Sequence, residues 1–258
     1  MPTKLRYLIW HLSITVDFFV RAWLIKLFTK DQIKLRRRFI ENNHRVAKQY
    51  LKAFQIKCRI ENPDKLELLK DKNYLVVGNH VSYTDIMVLS ALSPLVFITS
   101  VEMSNAPFLG TVTRLGGSLF TDRKRFVSLP KEIERFSETA KEGFSIVLFP
   151  EGTSTDGTNL RPFRSSLFEI ALKADLDILP ICINYVKING EPRSEANRDL
   201  ICWYGDMTFA PHFWSLLGVP IEAVVTILEP ITCSTRTKRQ ELSDRAYGLL
   251  SECYHRES

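Results

Sequence analysis

The run "GNHVSYTDIMVL" at residues 78–89 places a histidine, and five residues on an aspartate, directly behind an apolar stretch. An imidazole whose second ring nitrogen meets a carboxylate is held in one tautomer and becomes a better base. His80 and Asp85 are therefore a candidate general base and its orienting carboxylate. The same pair also reads as a core histidine followed by an ordinary helix N-cap. At this point both readings stand.

Two further apolar runs end in unusual polar content. "GGSLFTDRKR" closes on Asp122, Arg123, Lys124 and Arg125. "VLFPEGTSTDGTNLRPFRSS" reaches Pro150, Glu151, Gly152, Thr153 and Ser154, with Arg161 and Arg164 a turn later. Basic side chains and a Gly/Thr/Ser loop near a helix start supply positive charge and backbone N–H groups for a phosphate. Each motif alone is weak. Their order, at the ends of three separate apolar runs with a fourth, "ILPICINY", behind them, is much less common.

Something must hold these ends together. From about residue 60 short β-rich runs ("NYLVVGNH", "LVFITS", "FSIVLFPEG", "LDILPICINYV", "IEAVVTILEPI") alternate with helical patterns such as "LPKEIERFSETAKEG". Several runs are apolar on both faces, as in a sheet covered on each side. The expectation is an α/β domain over residues 61–258, with a mixed, largely parallel β-sheet flanked by helices. In such sheets functional residues gather where the strands end.

Residues 1–60 differ in character. They hold 14 Lys/Arg against 3 Asp/Glu, whereas the chain as a whole carries +6. Leu5, Leu8, Ile9, Leu12, Val16, Phe19, Val20, Trp23, Leu27 and Phe28 recur at helical spacing and predict an amphipathic helix. Trp10, Phe18 and Trp23 are aromatics of the type found at a lipid boundary. His11, Asp17, Arg21 and Lys26 interrupt the pattern, so the expectation is a helix lying on a membrane rather than crossing it. The adjoining "KDQIKLRRRF" reads as a patch for anionic headgroups. Packing on the chain's own body is the alternative. No nucleic-acid motif accompanies the basic residues, so no nucleic-acid partner is expected. The run at residues 203–220 is rich in apolar and aromatic residues and reads as a second membrane contact, an acyl channel or a helix packed on the core. Five scattered cysteines and five dispersed histidines show neither a disulfide framework nor metal-ligand spacing.

Taken together, four blocks resemble the glycerolipid acyltransferase family typified by 1-acyl-glycerol-3-phosphate acyltransferases, over roughly residues 60–230. They are "NHVSYTD", "GGSLFTDR", "FPEGTSTDG" and "ILPICINY". The resemblance implies an O-acyltransferase that moves a fatty acyl group from acyl-CoA or acyl-carrier protein to a lyso-lipid hydroxyl. The first acceptor it suggests is 1-acyl-glycerol-3-phosphate, giving phosphatidic acid. His80 would be the general base and Asp85 its partner. Asn79, Arg123, Glu151, Gly152, Thr153 and Arg164 would line the substrate site. The co-substrate thioester is the only cofactor implied, and no metal is. The family's N-terminal membrane element agrees with a peripheral or monotopic protein on the cytoplasmic face of a membrane. Two departures, Ser154 where many members have Arg and "RSS" where a basic pair is common, leave room for another acceptor such as a lyso-ornithine lipid. A non-catalytic lipid-surface binding protein is the alternative of a different class. No Ser or Cys sits in a G-x-S-x-G elbow, so direct transfer is expected rather than an acyl-enzyme.

Overall fold

The computed structural model describes residues 2–122, 127–234 and 236–256. Two long helices open it, α1 (Pro2–Phe28) and α2 (Gln32–Ala53). Asp31 starts the second, its Oδ1 accepting from Lys34 N at 2.7 Å. Strands and helices then alternate: β1 (Ile56–Glu61), α3 (Leu68–Asp71), β2 (Leu75–Gly78), α4 (Tyr83–Leu92), β3 (Val96–Ser100), α5 (Val101–Asn105), α6 (Leu109–Leu115) and β4 (Leu119–Thr121). The second half runs α7 (Leu129–Lys141), β5 (Ile146–Leu148), α8 (Glu169–Ala174), β6 (Ile178–Ile188), β7 (Glu191–Pro192), α9 (Phe209–Leu216), β8 (Ile221–Ile227) and α10 (Arg239–Arg256).

The strands lie in the order β1-β8-β6-β2-β5-β3-β4, with β7 paired to β6. Only β6–β8 and β6–β7 are antiparallel, so the sheet is mixed and largely parallel, as the alternation predicts. Alternate side chains feed two cores. Leu75 and Val77 of β2 join Val96, Ile98 and Ile178 under α7, α8 and α10. Val76, Phe97, Val147, Leu179 and Ile183 face the other way, toward α4 and α9. A parallel sheet covered on both sides needs this doubly apolar composition.

The N-terminal hairpin is built onto the same sheet. β1 crosses the change of texture near residue 60 and runs parallel to β8, from Ile56 beside Ile221 to Glu61 beside Thr226. α1 packs antiparallel to α2 through Thr15 Oγ1 to Tyr50 OH (2.6 Å), Arg45 to Asp17 (2.5 Å) and Asn42 Nδ2 to Phe18 O (3.3 Å). Tyr7, His11, Ile14, Phe18 and Ala22 form the buried side of α1. Leu5, Ile9, Leu12, Val16, Val20, Trp23, Leu27 and Phe28 are exposed. The apolar stripe read from the sequence therefore faces outward. Phe18 is the exception among the aromatics, since it is spent on α2.

Two expectations change here. Thr3–Phe28 is long and apolar enough, by length and composition, to cross a membrane. Asp17 on this helix is paired with Arg21 of its own next turn (2.8 Å) and with Arg45 of α2 (2.5 Å). The arginines of the basic run also work inside the protein. Arg36 reaches Thr139 Oγ1 (3.3 Å) and Glu142 (3.4 Å), Arg37 lies over the Phe144 ring at 5.0 Å, and Arg38 donates to Thr29 Oγ1 at 3.0 Å. Lys30, Lys34, Arg37 and Arg38 of that run are exposed all the same.

Candidate active site

His80 sits in the turn between β2 and α4, at the carboxyl end of a central strand. Ser82 is the N-cap of α4 and Asp85 is its third residue, so the two form a reciprocal capping box. Asp85 Oδ2 accepts from Val81 N (2.7 Å), Ser82 N (2.9 Å) and His80 Nδ1 (2.9 Å). Both sequence readings of this pair thus hold at once: the carboxylate that starts the helix also orients the imidazole. A carboxylate only accepts, so Nδ1 carries the hydrogen and Nε2 keeps the lone pair. The His80 side chain is 18% exposed while that of Asp85 is sealed at 0%. Ser82 is also fully buried, and its hydroxyl accepts from Thr84 N, so it caps the helix.

The other carboxylate oxygen reaches across to β6. Tyr185 donates its hydroxyl to Asp85 Oδ1 at 2.7 Å. Its single proton being used there, the 2.7 Å contact with Thr84 Oγ1 has Thr84 as donor. Four donors on one carboxylate are what burial of the charge requires. Burial pushes the Tyr185 hydroxyl well above the ordinary tyrosine value, so it stays a donor. The sequence reading missed this residue. Its signal was a tyrosine in phase with Ile181 and Ile183 in an otherwise apolar strand, where a buried hydroxyl needs a partner.

The third block grips the backbone of His80. Glu151 Oε1 accepts from His80 N at 2.7 Å and Oε2 from Arg161 N at 2.9 Å. Glu151 is 3% exposed, and burial lifts its carboxyl from 4.5 to about 7, against the pull of the two amides and of His80. On the other side Thr155 N donates to His80 O at 3.0 Å. The Phe149 ring stacks on the imidazole, 4.2 Å between centroids and 14° apart. Asn79 is fully buried, exchanging Nδ2 to Ile183 O and Ile183 N to Oδ1, both at 2.8 Å. Asn79 and Glu151, expected as substrate contacts, therefore spend their side chains fastening the histidine turn to β6 and to the loop after β5.

Phe149 also lines a pocket of ≈ 90 Å³ with Ile98, Asp122, Leu129, Gly152 and Arg164. Gly152 has φ +77°, and a Cβ there would stand 3.1 Å from Arg164 Cζ, so the glycine admits both the turn and the guanidinium. Thr153 is exposed on the same loop. Arg123, like Lys124 and Arg125, lies outside the described residues. A base with a fixed tautomer, half-open beside an apolar pocket with charged walls, is suited to deprotonating a hydroxyl on an amphipathic molecule.

Comparison with known proteins shows the family. The acyltransferase family model matches residues 57–184. The lyso-ornithine lipid O-acyltransferase of Rhizobium meliloti is 31% identical over 222 residues, 82% of this chain and 73% of that protein. The Pseudomonas aeruginosa enzyme of the same name is 34% identical, over 67% of this chain and 64% of its own length. A 1-acyl-sn-glycerol-3-phosphate acyltransferase of Neisseria meningitidis is 28% identical, over 56% and 54%. The crystal structure of the 1-acyl-sn-glycerophosphate acyltransferase of Thermotoga maritima shares the fold, with TM-score 0.71 and 19% identity over 99% of this chain and 95% of that one. The chain belongs to the glycerolipid acyltransferase family. It is an acyltransferase of the lyso-lipid acylating type.

Proposed function

We propose that the protein transfers a fatty acyl group from an acyl thioester to the hydroxyl of a lyso-lipid, with His80 as general base. The observation that carries this reading is the Nδ1 to Asp85 bond, which turns Nε2 outward as the acceptor of a proton. Nε2 takes the hydroxyl proton as that oxygen attacks the thioester carbonyl. The tetrahedral adduct then expels the thiolate, and the proton on His80 passes to it, giving an ester and a free thiol.

For the acceptor we favour a lyso-ornithine lipid over 1-acyl-glycerol-3-phosphate. Relatives named for the former align over 65–82% of this chain at 31–34% identity, those named for the latter over 44–56% at 27–29%. Ser154 in place of a basic residue points the same way. The membrane is met by the outward face of α1. That helix is held from Lys4 Nζ on Trp214 O (3.1 Å) to the following Thr29 under Arg38 (3.0 Å), which supports a helix lying on the membrane surface. The cytoplasmic leaflet is our choice of face, because a soluble thioester must reach the site.

The test is transfer from labelled acyl-CoA and acyl-carrier protein to lyso-ornithine lipid and lysophosphatidic acid by the purified protein. The expected result is a diacylated ornithine lipid from at least one donor. No ester from either donor on either acceptor would leave only a lipid-binding protein.

A further inference from the structure

We propose that Phe108 is a lipid-inserting residue, held by a strained turn so that its ring extends the outward face of α1 sideways onto the acyltransferase domain. This rests on the reading of α1 as a helix lying on a membrane, and it adds a second anchor away from that helix.

Phe108 stands between α5 and α6 with φ 63° and ψ −61°. Leu109 N donates back to Pro107 O at 2.7 Å, so these three residues form a γ-turn of the rare, strained hand. For a bulky aromatic residue a positive φ is a genuine outlier. Such strain persists only where the surroundings enforce it. Here they do. Gly110 N donates to Ala106 O at 2.9 Å, and a Cβ on Gly110 would lie 2.1 Å from Ser104 O, so α5 and α6 meet backbone to backbone. Arg114 Nη1 closes the same joint, donating to Ser104 O (2.6 Å) and to Ser104 Oγ (3.2 Å).

The enforced conformation does not bury the ring, which leaves Phe108 52% exposed. Its aromatic neighbour is Phe19 of α1, with 5.9 Å between ring centroids. Phe19 lies three residues past Val16 and four before Trp23, both exposed, so Phe108 continues that apolar row sideways. Behind it α6 is fixed to the hairpin, with Val112 and Leu115 packed on the cluster of Ile14, Phe18, Val46 and Ala53. The crossover that carries Phe108 joins β3 to β4, and Ile98 and Thr121 of those strands line the substrate pocket. A lyso-lipid acceptor is held in a bilayer by its own chain, so an enzyme that acylates it must bring its pocket to the lipid surface. A surface helix alone can roll about its axis. A ring inserted to one side of that axis, on the crossover beside the pocket, fixes the roll. In water the exposed phenyl adds to the cost of the turn, whereas lipid takes up its apolar area.

The experiment uses the full-length protein and vesicles of phosphatidylcholine with phosphatidylglycerol. Phe108→p-cyanophenylalanine keeps the ring and reports its hydration through the nitrile stretch, free of background from the other aromatics. The band should move from its aqueous to its hydrocarbon position when vesicles are added. Phe108→Gly suits the positive φ and removes the ring, and it should lower vesicle affinity about 10-fold, the scale of moving half a phenyl surface into lipid. Phe108→Trp should bind vesicles at least as tightly as wild type. The ratio of kcat/KM for a vesicle-borne lyso-lipid to that for a short-chain, monomeric one should fall in Phe108→Gly and hold in Phe108→Trp. A mere packing role predicts a different pattern, a lower melting temperature with unchanged vesicle affinity of the folded protein. A nitrile that stays hydrated on vesicle-bound protein overturns the insertion, as does Phe108→Gly that binds vesicles like wild type. A nitrile already dehydrated without vesicles, in protein that sediments as a dimer, assigns the ring to a second copy of the chain and overturns it too. Wild-type protein that binds no vesicles removes the membrane reading of α1 and this inference with it.

Discussion

The hydroxyl of Tyr185 on β6 donates to Oδ1 of Asp85 in the first turn of α4, at 2.7 Å, while Oδ2 of the same carboxylate carries His80. Tyr185 touches no part of the candidate substrate pocket among its lining residues. Its effect on chemistry would pass through Asp85. Tyr185→Phe keeps the ring and leaves Oδ1 with no donor in a fully buried position. The expected outcome is a stability loss of about 1–3 kcal/mol by denaturant titration, the cost of one unsatisfied buried acceptor. Turnover should fall as well, with the KM of donor and acceptor near wild type, because the imidazole and not the pocket is disturbed. A destabilised variant with wild-type kcat would reduce Tyr185 to a packing residue.

His80→Ala and Asp85→Asn should differ in degree. His80→Ala removes the base and should cost ~10² to 10⁴ in kcat with the fold retained. Asp85→Asn is gentler than a tautomer argument alone suggests. The Val81 and Ser82 amides demand an oxygen at the Oδ2 position, so the asparagine carbonyl is held toward His80 and still accepts from Nδ1. What is lost is the negative charge that stabilises the imidazolium as it forms. The kcat deficit of Asp85→Asn should therefore be smaller than that of His80→Ala. An equal deficit would show that the carboxylate charge is as necessary as the base.

Much of this arrangement was legible in the sequence because strands and their polar ends announce themselves locally. The alternation of "YLVV", "FSIVLF" and "ILPICINY" with helical patterns gave the largely parallel sheet, and the blocks behind those runs gave His80, Asp85 and Glu151. What could not be read was which oxygen or amide each side chain serves. The family resemblance implies ligand contacts for Asn79 and Glu151, and nothing local in the sequence says otherwise. Their partners, Ile183 and the amides of His80 and Arg161, are 104, 71 and 10 residues away and contribute only backbone atoms. Tyr185 was hidden for the same reason, its role being set by register between β6 and α4. The outward stripe of α1 was visible in its spacing, whereas the internal duties of Arg36, Arg37 and Arg38 depend on where α7 and its exit pass.

Glu151 should write its burial into the pH dependence of stability. Its carboxyl is raised in the folded protein to about 7 from 4.5, burial being the largest cause. The folded state therefore binds a proton the unfolded chain has released between those values. The contribution is full below pH 4.5 and is lost as pH rises through about 7, an amount of a few kcal/mol. Glu151→Gln cannot titrate, and its amide group presents donors to one of two backbone N–H groups. It should be less stable at pH 5, and the gap to wild type should narrow by pH 8. Parallel stability curves for the two proteins across that range would mean that Glu151 is ionised throughout in the folded state.

The last prediction separates a helix on the membrane from one through it. By length and composition Thr3–Phe28 is compatible with either. Its surroundings are not symmetrical. One side is fixed to α2 by Tyr50, Asn42 and Arg45, and Lys4 near its start is bonded to the carbonyls of Trp214 and Ser215 at 3.1 and 3.4 Å. Gly218 receives the Tyr7 ring, which lies 3.1 Å from where a Cβ would be. Crossing the bilayer would strip these contacts, strand Asp17 without Arg45 and expose the apolar inner side of α2. Lying on the surface keeps them and buries the exposed row of Val16, Val20, Trp23 and Leu27, with Trp214 of α9 exposed beside Lys4. Val16→Glu with Val20→Glu should therefore release folded protein from vesicles, with circular dichroism unchanged. Deleting α1 should instead cause aggregation, because Val46 and Ala53 of α2 lose their cover. Lys30→Gln with Lys34→Gln, two exposed residues of the basic run, should weaken binding to anionic vesicles by about 1 kcal/mol per charge. A label at the N-terminus and one at residue 30 should be quenched from the same side of a sealed vesicle. Quenching from opposite sides would establish a spanning helix and refute the docked hairpin.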